Sequence, residues 1–462
     1  MAVVQRFVVD VVVLGAGTAG ANAAGQLAER GLRVVLLERR AADVAGAQWH
    51  NGVLDWQFVA AGVDPPVPPE RAPSATRTHI VGPDGTHGVT VHDTPVVRAD
   101  MALLGRRLRS NARQAGVELL DHVGRIDPTL DGDRIVALDV EVTPPDRPAR
   151  SVHVEAALFV DASGRRGVLR RRSPALAASC PEVHGDELCT AADHHLRIAD
   201  ADGARRFLDR HGAAPGEAVT MVGLAGGFST RAITVSADLD EASVLVGCLA
   251  NGRYGTGPRL LAQTRADEPW LGDSIDGGAG VIPLRRPYAR FVAPGLALVG
   301  DAACQVFPGH GSGIGMGLLA GSLLADAVAG AADPGDERAL WQYQATFQHR
   351  YGGLLAAYDA FRRMSTALGG AGVAKMVRAG LLTEDLARAG LDQRWQVPDR
   401  AAVPAMARRM AAVPSVAAKM LPLLARGQLL HPMGERYPAQ PDLAAVARWD
   451  ARVERLLGPL PR

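Results

Sequence analysis

"FVVDVVVLGAGTAGANAAGQLAERGLRVVLLERR", Phe7 to Arg40, decides how the rest of this chain is read. Val8 to Leu14 is a nearly continuous β-branched run, the pattern of a parallel strand buried on both faces. Gly15, Gly17 and Gly20 follow as G-x-G-x-x-G, Ala19 to Arg30 reads as a helix, and Gly31 closes it. Leu32 to Leu37 is a second buried strand, ending in Glu38. Such a strand–turn–helix–strand unit binds dinucleotides. Its glycines make the tight turn, admit the pyrophosphate to the backbone and let helix pack on strand. The helix beginning at Ala19 offers free N–H groups and a positive dipole end to the phosphate. Glu38 is placed to accept hydrogen bonds from a ribose, with Arg39 beside it on the cofactor side. This unit alone leaves NAD and FAD equally open.

The bulk properties narrow the partners. A chain of 462 residues holds two or three domains and a large buried core. The formal net charge is +1 with the signs interspersed, which gives nucleic acid no basic surface to bind. Four cysteines (Cys180, Cys189, Cys248, Cys304) show no metal-ligand spacing, so no metal is expected and the thiols read as free in a reducing cytoplasm. The chain enters the first strand with no basic n-region or small-residue cleavage site. No apolar run reaches the ~18 residues of a membrane span. The expectation is a soluble cytoplasmic protein with no membrane contact.

Two further stretches decide the cofactor. "ALFVDASGRRGVLRR" (Ala157 to Arg171) is an apolar strand running into Asp161, with Gly164 in the turn after it. "GLALVGDAACQVFPGHGSGIGMGLLAGSLLADAV" (Gly295 to Val328) is a strand ending at Gly300 and Asp301, then a small-residue helix near Gly311 to Gly315. In this order and at these separations the three motifs, spanning Phe7 to Val328, resemble the FAD-binding domain of the para-hydroxybenzoate hydroxylase-fold superfamily. That superfamily includes aromatic hydroxylases, geranylgeranyl reductases, lycopene cyclases and flavin-dependent halogenases.

The resemblance implies FAD and assigns roles. Asp161 and Gly164 belong to the second cofactor motif, and Asp301 would hold the ribityl hydroxyls. Gly300 and the small residues after Pro308 would let the chain pass against the flavin ring. Gly311, Ser312, Gly313 and Ile314 would point N–H groups at its pyrimidine edge. A helix end there favours the reduced, negatively charged form by up to ~2 kcal/mol, roughly 40 mV for a two-electron couple. Arg98, before a helix whose apolar residues fall at Met101, Leu104, Leu108 and Ala112, would contact the cofactor. The loop "GAQWHNGVLDWQF" (Gly46 to Phe58) would approach the flavin, placing Trp49 and Asn51 in the substrate pocket and His50 as a candidate catalytic residue.

The fold expected is α/β. A Rossmann-like FAD-binding domain of the para-hydroxybenzoate hydroxylase type takes residues 1–172 and 283–332, an antiparallel β-sheet substrate domain is inserted at 173–282, and a helical region fills 333–462. "STRAITVSADL" and "ASVLVGCLANG" carry the alternation of the inserted sheet, and Val142 to Ser151 reads as a hairpin loop. Helices are predicted near 336–368, 373–389, 400–427 and 441–457. No second G-x-G-x-x-G is present, so electrons would come from transiently bound NAD(P)H or from a separate flavin reductase.

Within the superfamily, the run from Gly277 through "IP" (Ile282, Pro283) to the Gly300–Asp301 motif looks most like the geranylgeranyl reductase branch, and Asp186 to Ile198 resembles it loosely. The reaction this implies is hydride delivery from reduced FAD to a carbon–carbon double bond of a small, largely apolar metabolite, with a positioned acid supplying the proton. Hydroxylation through a flavin C4a-hydroperoxide is the alternative. Halogenases of this fold need a lysine between the first two FAD motifs, and this chain has none before Lys375. A carrier of the GDP-dissociation-inhibitor kind, which has lost FAD, fits poorly with three intact cofactor motifs. His310, beside the expected flavin edge, is the second candidate for proton transfer, and Cys304 reads as a small buried thiol.

Overall fold

The structure is a computed structural model that describes residues 5–396 and 399–460. The strand Gln5–Leu14 lies inside an eight-stranded sheet, with Arg150–Asp161 parallel to it on one side and Val34–Leu37 parallel on the other. Glu118–Leu120 and Leu296–Leu298 extend the parallel set outward. Val11, Val12 and Val13 have no exposed surface, as a strand covered on both faces requires. The register brings Leu14 opposite both Leu37 and Asp161, and Asp161 opposite Leu298. The three sequence motifs therefore end at one carboxyl edge of one sheet, where ligands of open α/β sheets bind. Val142 to Ser151 connects the antiparallel strands Arg134–Val142 and Arg150–Asp161, a hairpin as the sequence predicts.

Small residues set the packing above that edge. The helix Thr18–Glu29 lies against the helix Ile314–Val328 so closely that a Cβ on Gly317 would sit 2.8 Å from Ala19 Cβ, and one on Gly321 3.1 Å from the Ala23 backbone.

A second sheet has seven strands in the order Leu271–Pro283, Leu188–Ile198, Glu241–Leu249, Ser229–Val235, Ala218–Val222, Arg77–Val81 and His87–His92. Its middle is the antiparallel insertion expected between the second and third motifs. Two boundaries differ from the sequence reading. Arg77 to His92, assigned there to the FAD-binding part, pairs with Ala218–Val222 and completes the second sheet. Conversely, Leu176, Cys180 and Val183 pack into the core of the first sheet, so the inserted sheet begins at Leu188 rather than at residue 173. A three-stranded sheet of His50–Leu54, Val96–Asp100 and Arg71–Ala72 is separate from the two larger ones.

The C-terminal region is helical, and its first part belongs to the FAD-side core, which takes in Leu340, Tyr343, Phe347 and Leu355. The expected break after residue 368 is a kink. Gly369 alone leaves helical geometry, at φ +65°, and helix Gly353–Arg378 continues beyond it. Further helices run Glu384–Leu391, Val403–Ala411, Pro414–Leu430 and Leu443–Leu457. Among the described residues no helix is long and apolar enough to cross a membrane.

Candidate functional site: a dinucleotide cradle opening into an apolar cavity

The glycine turn is built by mutual contact. Gly15 has φ +106°, and a Cβ there would lie 2.4 Å from the Ala162 carbonyl oxygen. A Cβ on Gly20 would lie 1.9 Å from the Gly15 carbonyl oxygen. Neither site admits a side chain, and the second motif presses directly on the first. The helix that follows has Gly17 as N-cap with no side-chain bond to its first turn, leaving those N–H groups for a ligand. Glu38 accepts hydrogen bonds from the N–H groups of Ala16 (2.8 Å) and Arg40 (2.9 Å), and with Arg39 it lines the cavity. Its carboxylate thus fixes the turn and retains lone pairs for a ribose. Removing it by Glu38→Ala is expected to weaken FAD binding about 10–100-fold, the worth of charged hydrogen bonds of about 1.5–3 kcal/mol. Titrating apoprotein with FAD by fluorescence quenching checks this.

Asp161 has a different place from the one expected. It is fully buried off the cavity wall, and its carboxylate accepts from the Ser163 hydroxyl and from the N–H groups of Ser163, Leu169 and Arg170. It builds the turn that carries Ala162 and Gly164 to the cradle, so its contribution to the cofactor is indirect. Arg98 also lies off the wall, desolvated and facing Asp193 and Asp276. The arginine that does reach the glycine turn is Arg109, which the sequence reading passed over. Its Nη1 donates to the carbonyls of Ala16 (3.2 Å) and Ala45 (3.1 Å), its Nη2 is buried without a partner, and Glu38 is the acid that acts on it most strongly. Gly105, one turn earlier, gives this guanidinium room: a Cβ there would be 2.8 Å from Nη1. A glycine four residues before an arginine on the buried helix face was the available signal.

Across the cradle, Gly300 (φ +69°) leads into Asp301, whose carboxyl faces the cavity. Burial pushes its pKa up to about 6. Gln305, also missed, ties this segment: its Oε1 accepts from Gly300 N–H (2.7 Å) and its Nε2 donates to the Tyr343 hydroxyl (2.9 Å). Phe307 and Ser312 bridge across a tight loop that holds Gly309, His310, Gly311 and Ser312 on the wall, while Pro308 is buried off it. Gly313 and Ile314 follow on the wall, at a helix start without a side-chain cap. Gly15 and Gly20 contacting Ala162 and Gly15, Glu38, the open helix start and the half-buried Asp301 together form a cradle with the space and donors a dinucleotide needs. The residues fit FAD.

The two histidines fall apart. His310 lies against Phe307 (ring centroids 4.7 Å apart) and is exposed to the cavity, where desolvation by the surrounding wall lowers its pKa to about 4. His50 is off the wall, 3.9 Å from Asp276 and 5.8 Å from the His195 ring. Cys304 is fully buried and does not reach the cavity. Trp49 and Asn51 do line it. The Trp49 indole stands against the second sheet, 2.2 Å from where a Gly278 side chain would begin.

Beyond the cradle the cavity continues across the face of the second sheet, past Ala191, Asp193 and Gly280. It ends among Met376, Met406, Met410, Met420 and Leu424 of the C-terminal helices. Its volume is about 1570 Å³, more than the roughly 300–1,000 Å³ that suffices for one drug-sized ligand.

Residues 10–72 match the family described as FAD dependent oxidoreductase. The chain is 28% identical over 351 residues to digeranylgeranylglycerophospholipid reductase 2 of Methanopyrus kandleri, covering 74% of this chain and 83% of that protein. The fold is shared with a geranylgeranyl bacteriochlorophyll reductase-like protein of Thermoplasma acidophilum (TM-score 0.69, 16% identity, 91% of this chain and 100% of that one). It is also shared with the flavin-dependent brominase Bmp2 (TM-score 0.60, 17% identity, 89% and 100%). The fold and the cradle are those of a flavoenzyme. The chain is similar to FAD-dependent oxidoreductases and, among them, to proteins named as geranylgeranyl-type reductases.

Proposed function

We propose that the protein uses FAD to reduce carbon–carbon double bonds in a long apolar substrate of the isoprenoid-lipid class. The observation that carries this reading is the continuity of the cavity: one space runs from Gly15 and Asp301 to a methionine-lined end among the C-terminal helices. Flexible methionines accommodate apolar chains of varied shape. The relatives named digeranylgeranylglycerophospholipid reductase support a substrate of this chemistry. Bound FAD would supply the hydride. The residues of the cradle hold it: Gly15, Gly17 and Gly20 at the pyrophosphate, Glu38 at the ribose, Asp301 at the ribityl chain, and Gly311 to Ile314 at the ring. Arg109 positions the glycine turn through the Ala16 and Ala45 carbonyls. The second sheet, with Trp49 and Asn51, covers the reacting end and excludes water. Electrons reach the flavin from a transiently bound nicotinamide or a separate reductase. The four cysteines are all free and buried, in keeping with work in the cytoplasm.

The test is to reduce the flavoprotein without oxygen and add geranylgeraniol. Reoxidation of the flavin with a product heavier by two hydrogens per bond is the expected result. A flavin that ignores the alkene, yet gives a hydroxylated product once oxygen is admitted, overturns the reading.

A further inference from the structure

Along the strand Leu188–Ile198 the side chains alternate, so that Ala192 enters the core of the second sheet while Ala191 and Asp193 face the cavity. Asp193 is only 9% exposed, and among the described residues no protein group hydrogen-bonds its carboxyl. A carboxyl desolvated in this way, its oxygens open to a cavity rather than to protein donors, is costly to ionise. Such groups cluster where a protein does chemistry. The neighbouring positions are uncharged: Gly278 and Leu245 stand opposite it on the flanking strands. The Trp49 ring occupies the space above Gly278, so the carboxyl and the indole belong to the same stretch of wall.

Two charged groups act on Asp193. Arg98, from the strand Val96–Asp100, favours its ionised form, and Asp276, from Leu271–Pro283, opposes it. His50 and His195 approach the two oxygens of Asp276, at 3.9 and 3.8 Å. Burial outweighs Arg98 and raises the Asp193 pKa to about 7. At neutral pH a large share of the protein therefore holds a proton on Asp193, facing an apolar space. Of the other proton-bearing groups on that wall, His310 has its pKa lowered to about 4, the Tyr358 hydroxyl donates to the Arg394 carbonyl, and Glu38 and Asp301 lie in the cofactor cradle.

We propose that Asp193 is the acid that protonates the substrate, giving its carboxyl proton to the alkene carbon that does not receive hydride. This rests on the reading of the protein as an alkene reductase. Hydride is taken from reduced FAD by one carbon of the double bond, and the proton leaves Asp193 Oδ for the other. The π bond is replaced by two C–H bonds, the cofactor is left oxidised, and Asp193 is left as a carboxylate facing Arg98 until water reprotonates it.

Asp193→Asn keeps the shape and removes the proton, and two measurements on the FAD-loaded protein decide the matter. The first is the melting temperature of wild type and variant against pH. A folded pKa above the unfolded value means that the wild type loses stability as the pH rises from about 4 to about 7. The variant should gain on it over that interval and keep a constant lead above it. The second is the single-turnover reoxidation of reduced protein by geranylgeraniol. A rate about 10²–10⁴-fold slower in Asp193→Asn is expected, with FAD binding unchanged. The wild-type rate should fall as the pH passes about 7, and this limb should be missing in the variant. Asp193→Glu should recover part of the rate, and it replaces the Asn variant if that fails to fold. A lead that does not vary with pH, or a variant as fast as wild type, overturns the assignment. A wild type inert to the alkene, with the pH-dependent lead intact, instead overturns the reductase reading, and the catalytic role of Asp193 falls with it.

Discussion

Gly20→Val is expected to give a protein that purifies without flavin and takes up none from excess FAD. The added Cβ would lie 1.9 Å from the Gly15 carbonyl oxygen and 3.0 Å from Ala162 Cβ. Both partners are held from behind: Gly15 by its hydrogen bond to the Leu37 carbonyl, Ala162 by the Asp161 turn. Backbone cannot yield as a flexible side chain can, so the glycine turn must open and the pyrophosphate loses its bed. Gly25→Ala, later in the same helix, is the control. Its Cβ would meet Ala112 at 3.4 Å, ordinary contact, and FAD binding should be retained. The ratio of visible to ultraviolet absorbance after saturation with FAD reads both. Stoichiometric flavin in Gly20→Val would show that the dinucleotide lies elsewhere.

The second large effect is on stability. Asp359→Ala should destabilise the fold by about 3–5 kcal/mol, as removal of one partner from a buried ion pair does. Asp359 and Arg362 have no exposed surface, and the Asp359 carboxylate accepts from Arg362 (2.8 Å), from Arg363 (3.2 Å) and from the Arg286 backbone N–H (3.2 Å). Without it the fully buried Arg362 guanidinium loses its acid, and Arg363 is left with Glu187 at 3.7 Å. The arginines hold the Asp359 pKa far below the ordinary carboxylate range, although burial alone would raise it. Its folded pKa is thus below its unfolded one. The contribution is complete above the unfolded value and is lost as the pH falls toward the folded one, so wild type and variant should converge only in strong acid. Asp326→Ala removes an exposed ion pair to Arg30 and should change stability by under about 0.5 kcal/mol. Urea midpoints at pH 7 and pH 4 compare all three proteins.

What could be read from the chain alone was whatever local spacing dictates. The strand–turn–helix–strand at Phe7 to Arg40, the Gly300–Asp301 turn and the alternating strands of the insertion carry their geometry in adjacent residues. Three features did not, because each depends on contacts between distant segments. Asp161 reads like a cofactor ligand in its motif, yet four donors from Ser163, Leu169 and Arg170 claim its oxygens. Arg98 precedes its helix as a cofactor arginine would, but the strand pleat points it toward Asp193 and Asp276, while Arg109 enters through the gap left by Gly105. Arg77 to His92 alternates as strands do, and only the pairing with Ala218–Val222 shows which sheet it joins. Asp193 was inconspicuous for the same reason: nothing in "AADHHL" reveals that the neighbouring strands carry Gly278 and Leu245 opposite it.

The excursion at Arg77 to His92 bears on how this architecture can be rearranged. Two of the seven strands in the second sheet are contributed from before the second FAD motif, so the unit is interleaved with its host rather than strung after it. A transplant of residues 188–283 into a related scaffold would arrive with Ala218–Val222 as a bare, hydrogen-bonding edge, the kind of surface on which chains pair with one another. Swapping specificity between such proteins therefore calls for two segments exchanged together, Arg77–His92 and Leu188–Pro283, as a matched pair.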